Sequence, residues 1–148
     1  MSDFKFLRDL FTGFEKLRQL EILDLSSNYL NRSIFQSLSQ LSSLKALGLA
    51  ENNIESGSEK LSGLDKLEIL DLSDNALNDE NVLSVLELNV SRTTLKKLDM
   101  RNNRFRSFIP NEELGALRNI EWLLLDGNAL DENFLRSTGA MYPLQCYQ

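Results

Sequence analysis

The chain has 148 residues, a length typical of one domain, and its apolar fraction of 42% is enough to bury a core. Its formal net charge of −6 argues against nucleic acid and anionic membranes as partners, because both attract clustered lysine and arginine. No apolar run approaches the roughly 18 to 20 residues that cross a bilayer, and charges interrupt the first residues, so we expect neither a membrane-spanning segment nor a signal peptide in this chain.

A pattern of apolar residues that ends in an asparagine recurs along the chain. Its first copy consists of Leu17, Leu20, Leu23, Leu25, Asn28 and Leu30. Four more copies follow, and the asparagines of the five copies are Asn28, Asn52, Asn75, Asn103 and Asn128. Self-similarity at this period is typical of a solenoid, in which each unit buries its apolar side against its neighbours.

The pattern predicts an α/β solenoid, a curved stack of about five repeats. Apolar residues alternate with period two near residues 21–26, 45–50, 68–73, 96–101 and 121–126, which predicts short parallel strands on the concave face. Apolar spacings of three or four between them predict helical turns and loops on the convex face, the fullest around Asn81 to Thr94. We expect one domain over residues 1–142, with a partial repeat at 1–16, and a tail at 143–148.

The asparagine of each copy follows the predicted strand, where the chain turns toward the far side. A buried amide can hydrogen-bond backbone groups that such a turn leaves unpaired. We therefore expect these asparagines to be structural rather than ligand-binding, and the loss of one to cost about 1 to 3 kcal/mol.

The side chains that alternate with the inward leucines form the predicted binding surface. Trp122 is the first candidate, since tryptophan is enriched at the energetic centres of interfaces, although it could instead cover a neighbouring column. The charged candidates could read a charged peptide or be merely solvated. The complete predicted ligand-binding set is Trp122, Leu124, Asp126, Lys97, Asp99, Arg101, Asp71 and Asp24. A flanking column alternates in charge and predicts ion pairs between repeats; it comprises Glu21, Lys45, Glu68, Lys96 and Glu121.

The sequence offers little for catalysis. It has no histidine, which removes the commonest general base and metal ligand together. Its one cysteine, Cys146, has no histidine to activate it and no partner for an intramolecular disulfide. The seven glycines are scattered singly, so no phosphate-binding loop is predicted. We expect a binding protein without cofactor or metal rather than an enzyme.

Two segments resemble the plant type of leucine-rich repeat. They are residues 20–28 and the run Ser107-Phe108-Ile109-Pro110 that leads into Leu114–Leu117. The chain is similar to the extracellular repeat regions of plant receptor-like proteins and receptor-like kinases, and it looks like a fragment of one. The resemblance implies an extracellular or cell-surface location and recognition of a protein or peptide in signalling or defence, with a co-receptor as a further candidate partner.

Asn31-Arg32-Ser33 and Asn89-Val90-Ser91 are glycosylation sequons that fit a secretory history, with Asn31 and Asn89 as acceptors. Two other interpretations stay open at this point. The chain could be an intracellular scaffold or enzyme inhibitor that uses the same surface, or a truncated receptor remnant without independent activity.

Overall fold

The computed structural model describes residues 17–57, 61–79, 94–106 and 120–132. In these ranges lie β1 (Ile22–Asp24), α1 (Ile34–Leu38), β2 (Ala46–Gly48), β3 (Ile69–Asp71), β4 (Lys97–Asp99) and β5 (Trp122–Leu124). The five strands form one parallel sheet in chain order, one strand from each repeat. The predicted leucine-rich-repeat solenoid is therefore confirmed.

The central leucine of each strand aligns with that of its neighbours, in the order Leu23, Leu47, Leu70, Leu98 and Leu123. These side chains point away from the outward face because successive residues of a strand alternate sides. The last four are buried, and Leu23 is half-buried against the same core. Full burial of one leucine stabilises the fold by about 1.5 to 3 kcal/mol. A single three-residue strand cannot bury its leucine, so this stabilisation comes from stacking of the repeats.

The side of the core that faces away from the sheet is closed by the segments between strands. In the first repeat α1 buries Ile34, Phe35 and Leu38, as the spacing of these residues predicts. The segment with Leu61 and Leu64 contains turns and no helix in its described part. The expected excursion at 81–93, the first 16 residues and the tail with Cys146 lie outside the described residues.

The predicted structural role of the asparagines is confirmed by a ladder of side-chain hydrogen bonds. Asn52 donates through Nδ2 to the carbonyl oxygens of Leu49 and Ala50 in its own repeat and of Leu25 in the previous one. Its Oδ1 accepts the backbone N–H of Leu30, also in the previous repeat, at 2.9 Å. Each of the later asparagines, Asn75, Asn103 and Asn128, makes the same kinds of contact. The amides thus join each repeat to the one before it.

The residue before each asparagine has a left-handed backbone. These residues are Ser27, Glu51, Asp74, Asn102 and Gly127, with φ between 52° and 71°. The backbone N–H groups of the first four continue the parallel ladder beyond the strands, as in the 2.9 Å bond from Ser27 to Ala50. A left-handed non-glycine residue costs roughly 1 to 2 kcal/mol, so the repeat accepts local strain to keep this ladder while the chain turns.

Candidate functional site

The outward side chains of the sheet form a continuous surface, here called the ribbon face. Its first row is Ile22, Ala46, Ile69, Lys97 and Trp122, and its second is Asp24, Gly48, Asp71, Asp99 and Leu124, as the strand register aligns them. Two residues further along the chain, the third row is Ser26, Ala50, Ser73, Arg101 and Asp126. Neighbouring strands in such a sheet lie about 4.8 Å apart, so each row is a line of adjacent side chains.

The first row carries large apolar side chains that remain open to solvent. Ile22 is 71% exposed, Ile69 44% and Trp122 46%. Lys97 lies between Ile69 and Trp122 in the register. Close to Trp122, Leu124 and Asp126 are half-buried. A protein partner could therefore cover these apolar side chains without any rearrangement of the core behind them.

Asp99 and Arg101 form a two-point ion pair on the ribbon face. Nε of Arg101 donates to Oδ1 of Asp99 at 2.9 Å, and Nη2 donates to Oδ2 at 2.7 Å. Asp99 is only 2% exposed, whereas the side chain of Arg101 is 47% exposed. These hydrogen bonds and the charge of Asp99 raise the pKa of Arg101. Of the two, Arg101 is the group that a ligand can reach, and Asp99 fixes its position.

Asp24 and Asp71 occupy equivalent places in two repeats. Oδ1 of Asp24 accepts the backbone N–H of Ser26 at 2.9 Å. Oδ1 of Asp71 accepts both the backbone N–H and the hydroxyl of Ser73, at 2.9 and 2.7 Å. Hydrogen bonds from Ser26 lower the pKa of the exposed Asp24. Both aspartates therefore brace the end of a strand and still face outward.

Two of the ion pairs predicted for the alternating column beside the first row are present. Nζ of Lys45 lies 2.9 Å from Oε1 of Glu21, and Nζ of Lys96 lies 3.2 Å from Oε2 of Glu68. All four side chains are more than one third exposed, and the pair with Glu21 raises the pKa of Lys45. These pairs link consecutive repeats at the margin of the ribbon face.

The predicted glycosylation acceptor Asn31 is exposed beside an open hollow of about 320 Å³, away from the ribbon face. The hollow is lined by Asn31, Arg32, Ser33, Asn53 and Glu55. The second acceptor, Asn89, lies outside the described residues.

The described ranges contain no cluster of three or more histidine, cysteine, aspartate or glutamate side chains that would suit a metal ion. A helix with the length and apolarity to cross a bilayer is also absent from them.

Leucine-rich-repeat family models match residues 18–77 and 94–117, which together make up more than half of the chain. Receptor-like protein 15 of Arabidopsis thaliana is 51% identical over 45 residues, which are 30% of this chain and 5% of that protein. The chain thus corresponds to a small part of this relative.

Solved structures share the fold. A leucine-rich-repeat protein of Leptospira interrogans aligns over 92% of this chain and 38% of its own, with a TM-score of 0.65 and 23% identity. Internalin C2 of Listeria monocytogenes aligns over 81% of this chain and 48% of its own, with a TM-score of 0.62 and 26% identity. The plant peptide hormone receptor RGFR1, solved in complex with RGF2, aligns over 79% of this chain and 18% of its own, with a TM-score of 0.57 and 28% identity. The chain belongs to the leucine-rich-repeat family, and 45 of its residues are similar to a plant receptor-like protein.

Proposed function

We propose that the ribbon face binds a protein or peptide as the recognition surface of a plant receptor-like protein. The observation that carries this proposal is the exposed apolar first row, above all Trp122, on a sheet whose other side is a packed core. Tryptophan and arginine dominate the energetic centres of protein interfaces, and Trp122 and Arg101 are both accessible on this face. Asp24 and Asp71 lack the enclosed surroundings that general acid catalysis needs, and both oxygens of the buried Asp99 accept hydrogen bonds from Arg101, which favours binding over catalysis.

Two related proteins support this role. The curated relative is a receptor-like protein, and one structural neighbour is a peptide hormone receptor in complex with its partner. This chain covers 5% and 18% of those two proteins. We infer a role in cell-surface signalling or defence, with the chain outside the cell, glycans on Asn31 and Asn89, and a co-receptor that transmits the signal.

Selection from a displayed peptide library tests the binding proposal. Peptides that bind the full chain are measured again against Trp122→Ala, which should weaken them at least about tenfold, and against Arg101→Glu. Tyr29→Ala is the matched control, because Tyr29 is 91% exposed and lies off the ribbon face. Binders that tolerate Trp122→Ala and Arg101→Glu as well as they tolerate Tyr29→Ala would contradict the proposal.

Expression through a plant secretory route tests the proposed location. We expect a glycosylated product whose mass falls in two steps with Asn31→Gln and then Asn89→Gln, when a signal peptide is supplied. Because Asn31 lies away from the ribbon face, its glycan should leave ligand binding unchanged. A folded, exported chain that carries no glycan would contradict the inferred secretory history.

A further inference from the structure

The two ends of the ribbon face differ in charge. Between β1 and β3, its three rows contain the acids Asp24 and Asp71 and no lysine or arginine. Lys45 of β2's repeat lies outside these rows and is paired with Glu21. From β4 onward the same rows contain Lys97 and Arg101 together with two aspartates. The first three strands therefore present an acidic surface, here called the β1–β3 surface.

The carboxylates of the β1–β3 surface keep capacity for a partner. Asp24 and Asp71 each use Oδ1 in the bonds to the serine two residues on. Among the described residues, neither carboxylate accepts a hydrogen bond from any residue other than that serine. Asp99 differs, because both of its oxygens accept from Arg101. A carboxylate oxygen that remains open on an exposed face is an acceptor for a charged donor.

Apolar groups flank these acids in the adjoining row. Ile22 and Ile69 lie two residues before Asp24 and Asp71, so each repeat presents an apolar side chain and a carboxylate about 6.6 Å apart along the strand. The intervening strand contributes only Ala46 and Gly48 to these rows. The two acids are separated by two strand spacings, about 9.6 Å, with no bulky side chain between them.

We propose that the β1–β3 surface binds an extended peptide segment with two lysine or arginine side chains and an apolar residue between them. The cationic groups pair with Asp24 and Asp71, and the apolar residue contacts Ile22 and Ile69 across the low strand between them. A small polycation would pair with the two aspartates, but it would not cover the exposed side chains of Ile22 and Ile69. This inference rests on the proposed function and assigns the chemistry of the partner.

Three synthetic fluorescent peptides serve as probes, measured by fluorescence anisotropy at about 50 mM salt, where charge screening is weak. The first has two arginines four residues apart, with leucines midway between them and two residues after the second, so that all four side chains lie on one face of the extended peptide. In the second both arginines are glutamates, and in the third the leucines are serines. The full chain should bind the first peptide at least about fivefold more tightly than either of the others.

The variant Asp24→Asn with Asp71→Asn removes both charges and keeps the Oδ1 acceptors that brace the strand ends. It should weaken the first peptide about fivefold, as expected for two exposed ion pairs. Its matched control is Glu55→Gln with Asp65→Asn, which removes the same charge from exposed positions off the ribbon face and should change binding less than twofold. Ile22→Ser should weaken the first peptide and leave the serine peptide unaffected.

Three outcomes would overturn the inference: no binding of the first peptide up to about 1 mM, equal binding of the first and third peptides, or equal effects of the two double variants. A library peptide that depends on Trp122 but not on Asp24 or Asp71 would also overturn it, while leaving the proposed recognition function in place. A library peptide whose binding depends on neither Trp122 nor the two aspartates would overturn both the inference and the proposed recognition function.

Discussion

Asn52 shows how strongly one amide joins two repeats, and Asn52→Ala tests that role. Its Oδ1 is the acceptor for the buried backbone N–H of Leu30, which has no other acceptor among the described residues. The carbonyl oxygens that Asn52 reaches keep other donors, since Leu25 still accepts from Asn28 and Leu49 from Asn75. One buried N–H is therefore orphaned, and the expected loss of unfolding free energy is about 1 to 3 kcal/mol.

Urea unfolding followed by circular dichroism measures this loss, and hydrogen exchange at the Leu30 amide locates it. Asn28→Ala is the matched control, because Asn28 is exposed and, among the described residues, its side chain bonds to carbonyl oxygens of its own repeat alone. Water can replace those bonds, so this variant should lose less than about 0.5 kcal/mol. Equal losses in the two variants, or unchanged exchange at Leu30, would refute the ladder as the joint between repeats.

Three further predictions concern the turns and charges around the ribbon face. Gly127→Ala should cost more than about 1 kcal/mol in thermal unfolding, because φ is 71° there and the new Cβ would collide with the previous repeat. Arg101→Gln strips the buried carboxylate of Asp99 of its charged partner and should destabilise the fold by about 1 to 3 kcal/mol, most of which Asp99→Asn in the same chain should restore. The lowered pKa of Asp24 means that its contribution to stability is fully present above pH 3.8 and is lost as the pH falls through the folded-state pKa. Ser26→Ala should raise that pKa toward 3.8 in an NMR titration of the carboxyl carbon.

Each of these predictions has a contrary result. Gly48→Ala is the control for Gly127→Ala, since its Cβ meets the movable carboxylate of the exposed Asp24 rather than a left-handed turn; equal losses would contradict the backbone argument. If Arg101→Gln with Asp99→Asn is as unstable as Arg101→Gln alone, the unpaired charge of Asp99 is not the cause of the lost stability. An unchanged titration of Asp24 in Ser26→Ala would show that the Ser26 hydroxyl does not lower its pKa.

The inner part of the fold could be predicted because its forces repeat. Each repeat has leucines at every second residue of the strand and an asparagine at the same offset, and few arrangements bury both. The spacing alone therefore predicts the parallel sheet, the register of Leu47 with Leu70 and the role of Asn52. The ribbon rows follow for the same reason, because the residues between two inward leucines must point outward.

The repeat pattern does not predict features that depend on the surroundings of one particular side chain. The residue before each asparagine has a left-handed backbone, and glycine is the residue type that favours this conformation. Only Gly127 is a glycine among the five, so residues such as Glu51 do not indicate the turn in the sequence. Burial of Asp99 was also missed, although its spacing of two residues from Arg101 places both on one side of a strand and was the available signal. The strand pattern predicts that Asp99 and Asp24 are both accessible acids; of these two, Asp24 is exposed and Asp99 is buried.

We propose that the outward side chains of the parallel sheet form the recognition surface. Hydrogen–deuterium exchange of the full chain with and without a library-selected peptide tests it directly. Protection should concentrate in the strands and the residues just after them, with α1 unchanged on the other side of the core. Protection confined to α1 or to the hollow beside Asn31 would contradict the claim.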